Sequence, residues 1–407
     1  MNSAMTSLKT AAVCMALSAI VLLSIFFAAE NFSLPNKASS PKFFVGVEIG
    51  WNANVSQCEA VIDKVKSYTN MIILASPTLA VDAAALNETC DYAFNAGMYI
   101  MVYFSMQIVP DTYPSGNSSA ALNGNITETL LNNVSYHPFL WMIGAEERYG
   151  DHFLGIYFHD EPGGTVLDSA SPILSGKQAN YTTLANDFVQ DTNRRMNILL
   201  PIAHHIGVNL FTSDYGLYWF DYKAGYDVVM AQFGWNNSRP LQIALTRGAA
   251  NVQGKDWGAI ITWTTDRSPY LEGSSQLYQD LVLAYESGAK YASVYDASQD
   301  FLNTTLTQDH YNALNDFWNY VQANPNKQGS LKADTVLALP QDYGFGFRST
   351  NDSVWGVKPD NMTAQVYENV QSFLSEYGSR LDLVYNESAF NSTTTSKYDK
   401  IINLTSG

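Results

Sequence analysis

The sequence predicts an α/β fold of the (β/α)8 TIM-barrel type, on two observations. Eight near-continuous apolar runs succeed one another along the 407 residues, and segments with helical spacing of apolar groups lie between them. Runs that are apolar at nearly every position belong to strands covered on both faces, as in a parallel sheet. Together they span roughly 280 residues, against ~250 for a typical barrel of this kind. A doubly wound open sheet would normally show a Gly-rich phosphate turn after an early strand, and none is visible.

The runs are "FFVGVEIGW" (43–51), "NMIILAS" (70–76), "MYIMVYFSMQ" (98–107) and "FLGIYFHDE" (153–161), followed by "GVNLFTSDYG" (207–216), "YDVVMAQFGW" (226–235), "WGAIITWTTD" (257–266) and "YASVYDAS" (291–298). The fifth has a competitor in "NILLPIAHHIG", just before it. Between them, "VSQCEAVIDKVKSYT" carries apolar groups at helical spacing, and "LAVDAAALNETCDYAFNAG" stops at Gly97, a helix C-terminal signal. "YTTLANDFVQDTNRR" precedes the fifth run, "SQLYQDLVLAYESGAK" precedes the eighth, and "TQDHYNALNDFWNYVQ" follows it. The barrel is expected over residues 42–326.

Residues 331–407 read as strand–loop–helix–strand–strand, a small C-terminal α/β module. Its "YGFGFR" to "VWG" loop is long, aromatic and Gly-rich. It either packs against the barrel wall or caps the barrel mouth.

Residues 1–41 have a different character. Lys9 is followed by an almost purely apolar run from Ala11 to Ala29, then a Ser/Pro-containing linker. That length lies between a long signal-peptide core and one membrane-spanning helix. Phe26 or Phe27 stands where a cleavage site needs a small residue, which favours an uncleaved anchor over a signal. Either way the bulk of the chain is expected outside the cytoplasm, at the cell surface or secreted. The tripeptide Asn-X-Ser/Thr recurs from Asn31 to Asn403, which suggests a glycoprotein.

Hydrophobic residues make up 46% of the chain, charged residues 15%, and the formal net charge is −16. No polybasic cluster exists. Nucleic acid and anionic headgroups would be repelled and are excluded as partners. Cys58 and Cys90 each fall on an apolar helical stripe; they are either a disulfide or two small buried hydrophobes. No Cys or His spacing suits a metal, and no cofactor is expected.

In such a barrel, groups at the C-terminal strand ends face one shared cavity. Those groups are Glu48, Trp51, Gln107, His159, Asp160, Glu161, Asp214, Gln232, Trp235, Trp263, Asp266 and Asp296. The set is rich in carboxylates, amides and indoles and poor in cations. Indole faces stack on sugar rings, while carboxylates and amides bond hydroxyls, so the expected partner is a carbohydrate. Trp51, His159, Gln232, Trp235, Trp263 and Asp214 are the candidate binding residues. Cleaving a glycosidic bond needs one protonated and one ionised carboxyl group. Adjacent strand residues point to opposite faces. Pro162, however, ends the fourth strand, so Asp160 and Glu161 can both reach the rim.

"IYFHDEP" resembles the strand-four "DEP" or "NEP" signature of (β/α)8 glycoside hydrolases. The resemblance implies that Glu161 is the acid/base, with Asp160 where many such enzymes carry Asn or Asp. The best-known group takes its nucleophile from a Glu at the end of strand seven. Here that place reads "ITWTTD", without Glu, which puts a retaining mechanism in doubt. Asp266, Asp296 and Glu48, in that order, are the candidates for the second carboxylate. The expectation is hydrolysis of a glycosidic bond; the alternative is a non-catalytic glycan-binding or cell-envelope barrel.

Overall fold

A computed structural model describes residues 41–105, 138–169, 180–197 and 199–404. Phe43 to Gly407 form one compact unit. The apolar N-terminal run and Gln107 lie outside the described residues. Among the described residues, no helix is long and apolar enough to cross a membrane.

Eight parallel strands close into a barrel in sequence order. They are β1 (Phe44–Ile49), β2 (Met71–Leu74), β3 (Tyr99–Phe104), β4 (Phe153–Phe158), β5 (Asn209–Asp214), β6 (Val228–Phe233), β7 (Asp256–Ile261) and β8 (Tyr291–Asp296). All eight predicted runs contain a strand. Between β1 and β3 lie α1 (Val55–Val65), α2 (Pro77–Ala80) and α3 (Ala83–Asn95), and α4 (Pro138–Tyr149) precedes β4. Helices α5 (Pro162–Asp168), α6 (Tyr181–Arg195) and α7 (Leu199–Ile206) follow β4. The competing apolar stretch before β5 is thus α7, where Pro201 sits in the first turn, a position helices tolerate. Helix α8 (Tyr218–Ala224) precedes β6, α9 (Arg239–Gln253) precedes β7, α10 (Ser274–Glu286) precedes β8, and α11 (Gln308–Ala323) follows it.

Two apolar cores result. The larger lies between strands and helices and contains Cys58 and Cys90, both free and fully buried, so the two thiols are small core hydrophobes. The smaller fills the barrel itself with Phe44, Met71, Ile73, Met101, Leu154, Tyr157, Phe211, Val228, Met230, Ile260 and Tyr291. Side chains alternate along a strand. Interior Phe44 therefore puts Glu48 inward, Phe211 puts Ser213 inward, Met230 puts Gln232 inward, and Tyr291 puts Tyr295 inward.

One strand breaks the alternation. Gly155, at φ 135°, shifts the β3–β4 register between Ile100 and Met101, so Leu154 and Tyr157 both enter the barrel. Only glycine fits there, since a Cβ would lie 1.9 Å from the carbonyl oxygen of Asn209.

Residues 335–403 make a second, three-stranded parallel sheet in the order β10 (Leu381–Tyr385), β9 (Thr335–Leu339), β11 (Lys400–Asn403). Helices α12 (Thr363–Tyr377) and α13 (Asn391–Lys397) connect its strands. The sheet lies against α9. Gly248 of that helix comes so close that a Cβ would meet the Leu383 carbonyl oxygen at 2.4 Å. Arg247, beside it, pairs with Asp382 at 2.7 Å and donates to the carbonyls of Leu331, Ser379 and Leu381. A buried guanidinium bonded through all three nitrogens and paired with a carboxylate avoids the several-kcal/mol penalty of an unpaired charge.

Candidate active site

The turn after β4 organises the site. The strand stops at Phe158, and His159 (φ 58°) and Glu161 (φ 54°) take left-handed backbone conformations. Non-glycine residues rarely adopt these, at a cost of about 1–3 kcal/mol each. Surrounding contacts hold the strain. The Glu161 amide donates to the Ser213 carbonyl at 2.9 Å, and Thr212 Oγ1 donates to the His159 carbonyl at 2.6 Å. Pro162 opens α5, where its missing N–H costs nothing.

The next two amides, Gly163 and Gly164, donate to Asp214 at 2.6 and 2.9 Å, and those of Tyr215 and Gly216 donate to the same carboxylate at 2.7 and 3.2 Å. Asp214 has the outward parity of β5, is fully buried, and is spent on this clamp. It lies against the wall that holds the turn, not in the cavity. Gly163 is required by the close approach, since its Cβ would meet Gly216 O and Leu217 Cβ at 2.7 Å and Asp214 Oδ2 at 3.0 Å. Burial pushes Asp214 up to about 7 against the pull of those amides. Asp221 is also fully buried and has no donor for either oxygen. Burial and the Asp214 charge drive its proton affinity far up, so it is the neutral acid of the pair.

Because of the turn, both Asp160 and Glu161 face a cavity of about 460 Å³ at the barrel mouth, together with Glu48, Gln232, Trp235 and Trp263 from the predicted set. Sequence reasoning missed Tyr157, Ser213, Tyr295, Tyr215, Asp168 and Arg348, which also line it. Tyr157 OH and Ser213 Oγ both reach Asp160 Oδ1, at 2.5 and 2.8 Å. Gln232 Nε2 donates to Ser213 Oγ at 3.0 Å and to Glu161 Oε1 at 2.8 Å, so that Ser213 connects it to Asp160.

The carboxyl groups differ in proton affinity. Burial, then the Asp160 charge, pushes Glu161 up to about 8. Glu48 is only 4% exposed; burial and Asp160 hold it well above the usual carboxylate range. Enclosure raises Asp160 too, but two hydroxyl donors oppose it, so of the three it is the one to carry the charge. Asp168 at the rim is lowered. Partial burial acts against ionisation there, but hydrogen bonds from Tyr215 and Arg348 outweigh it. Arg348 comes from the aromatic loop of the C-terminal sheet. It is fixed by a bidentate pair with Asp352 and reaches Asp168 as well. Of the two alternatives for that loop, Trp355 shows packing, against Phe188 and Phe220, and Arg348 of the same loop lines the cavity.

The remaining predicted residues lie elsewhere. Asp296 has outward parity on β8 and is fully buried; its carboxylate accepts from Thr304, Thr305 and Leu306, shaping the loop after β8. Asp266 stands beyond the end of β7 with its side chain 61% exposed, beside Arg267. Neither lines the cavity. Trp51 is buried, with no acceptor for its indole N–H. His159 packs outside the cavity with Nδ1 unpartnered, and burial lowers it to about 4, so it is neutral. Trp235 is 45% exposed and meets Trp263 edge to face, with centroids 6.4 Å apart. Among the described residues, no group of His, Cys, Asp and Glu could hold a metal ion.

The raised acids have a consequence for stability. Glu161 and Asp214 keep protons in the folded state that the unfolded chain releases near pH 4. Their contribution is present in mild acid and lost as pH rises through 7 and 8. Thermal unfolding should therefore show a higher Tm at about pH 5 than at about pH 8.5. A Tm that rises over that interval would contradict these assignments.

No family model matches the chain, and no curated protein does. Among solved structures, a GH5_18 protein from Bifidobacterium longum subsp. infantis superimposes with TM-score 0.53 at 11% identity, over 89% of this chain and 96% of that one. The likeness is one of fold. A β-1,4-D-mannanase from Cryptopygus antarcticus (TM-score 0.42, 15% identity, 67% of this chain and 90% of that one) is also similar. So is a β-1,4-mannanase from Aplysia kurodai (0.41, 10%, 70% and 95%). With the closed ring of eight parallel strands, the first likeness shows a (β/α)8 barrel fold.

Proposed function

We propose that the protein is an extracytoplasmic hydrolase of glycosidic bonds, with Glu161 as proton donor. The observation that carries this reading is the pairing at the end of β4. Glu161 is held protonated to about pH 8 beside Asp160, an ionised acid, in a cavity walled by Trp235 and Trp263. Splitting the proton affinities of neighbouring acids is how one site supplies both an acid and a charge at neutral pH. In the proposed reaction, Glu161 gives its proton to the leaving oxygen as the bond to the anomeric carbon breaks, and a water then adds to that carbon and returns a proton to Glu161. Asp160 steadies the positive charge that develops, and Glu48 is the second carboxyl group of the cavity. The apolar run Ala11–Ala29 and the sequons support placement outside the cytoplasm.

A second reading, a barrel that binds glycan without cleaving it, is favoured by β7. Its end offers Ile260, Thr262 and Trp263 to the cavity, and no carboxylate. A panel of polysaccharides, with bound sugar and released reducing ends both measured, separates the two. Hydrolysis should fall away as pH rises through about 8, where Glu161 loses its proton. Binding with no release on any substrate would leave the second reading.

A further inference from the structure

The floor of the cavity is rich in acceptors and short of donors. Glu48 Oε2 is buried and has no hydrogen-bond donor. Gln232 Oε1 is in the same position, while Nε2 of that amide donates to Glu161 and Ser213. Both residues are 4% exposed and both line the cavity. Asp160 and Glu161 line the same cavity. The cavity's cation, Arg348, is at the rim and already neutralised by Asp168 and Asp352. Tyr157, Tyr295 and Trp263 supply the rings of the same wall. Tyr295 lies beside Glu48 in the β1–β8 register.

A buried acceptor without a donor is costly, and a buried acid facing other acids more so. A neutral sugar hydroxyl brings one hydrogen and no charge. A protonated amine brings three hydrogens and a positive charge to a site whose lining cation is already paired. Tyrosine and indole faces attract the same charge.

We propose that the cavity floor is a subsite for the ammonium group of an amino sugar, with Glu48 Oε2 and Gln232 Oε1 as acceptors and the Tyr295 ring beside them. The substrate class would then be a glycan with free, unacetylated amino groups. This rests on the glycan reading above and narrows it. It also gives Glu48 its role in that reaction, since an ammonium ion in contact favours the ionised carboxylate.

The test is binding of glucosamine and galactosamine at about pH 6, compared with their N-acetylated forms and with glucose and galactose, by NMR titration. The amines should bind at least about tenfold more tightly than the parent sugars, and acetylation should remove the advantage. Glu48→Gln should bring the amines to within about threefold of the parent sugars, with the fold checked by Tm. Equal affinity of wild-type protein for amines and parents would overturn the proposal. So would an amine advantage that survives in Glu48→Gln. In either case hydrolysis of a neutral glycan dependent on Glu161 would leave the broader function standing. Failure of every sugar to bind would overturn both.

Discussion

Glu161→Gln is expected to lower hydrolysis about 10³-fold, or ~4 kcal/mol of transition-state stabilisation, while sugar affinity is retained. The amide keeps the shape of the neutral acid and its hydrogen bond from Gln232 requires only an oxygen. What it lacks is a transferable proton. Stability should hardly change, because the wild-type side chain is already uncharged at neutral pH. Asp160, deprived of a neighbour that shares a proton, stays bonded to Tyr157 and Ser213. Steady-state rates on a substrate found by the polysaccharide panel give the kcat, and Kd is read separately. Undiminished kcat would remove Glu161 from the reaction.

Asp214→Ala is expected to cost ~4 kcal/mol of stability and to lower kcat at least about tenfold. The carboxylate gathers the amides of Gly163, Gly164, Tyr215 and Gly216, and no other acceptor stands in its place. Each buried N–H left bare costs about 1–3 kcal/mol, less than additively when the loop relaxes. The catalytic loss has a different origin. Glu161 keeps its left-handed backbone only while the following two glycines are pinned to β5, so a freed turn lets the side chain drift. A 1 Å displacement of a proton donor is enough for a loss of this size. Asp214→Asn keeps one acceptor oxygen and should fall between wild type and alanine. Urea unfolding and kcat measure the two effects. A stable, fully active alanine variant would show that the clamp is dispensable.

The architecture was legible because all eight strands are buried on both faces and each therefore reads as one apolar run. The site was legible where parity and strand end agreed, at Glu48 and Gln232. Asp214 and Asp296 stand at strand ends too, but one step out of phase, which turns them into loop anchors; the period of two would have separated them from Ser213 and Tyr295. Three features were not readable locally, beyond the sign from Pro162 that the strand ends near Asp160 and Glu161. The register shift at Gly155 resets the parity of β4, and the left-handed turn at His159 and Glu161 brings two adjacent acids to one cavity. Arg348 reaches Asp168 from 180 positions away, along a loop whose aromatic residues spoke equally for packing. The β7 position was read correctly as lacking Glu, yet the substitute drawn from sequence, Asp266, stands outside the barrel mouth.

The partners of Arg247 are Leu331, Ser379, Leu381 and Asp382, and every one is translated after β8. A growing chain can join β8 to β1 and complete the ring while this arginine still has only water to face. Arg348, the cation of the cavity rim, emerges later again. Ring closure and completion of the pocket are thus separate events in the life of each molecule. A ribosome stalled beyond β8 would display a finished cylinder with an unfinished mouth, and the two coincide only once residues 331–382, Arg348 among them, have emerged.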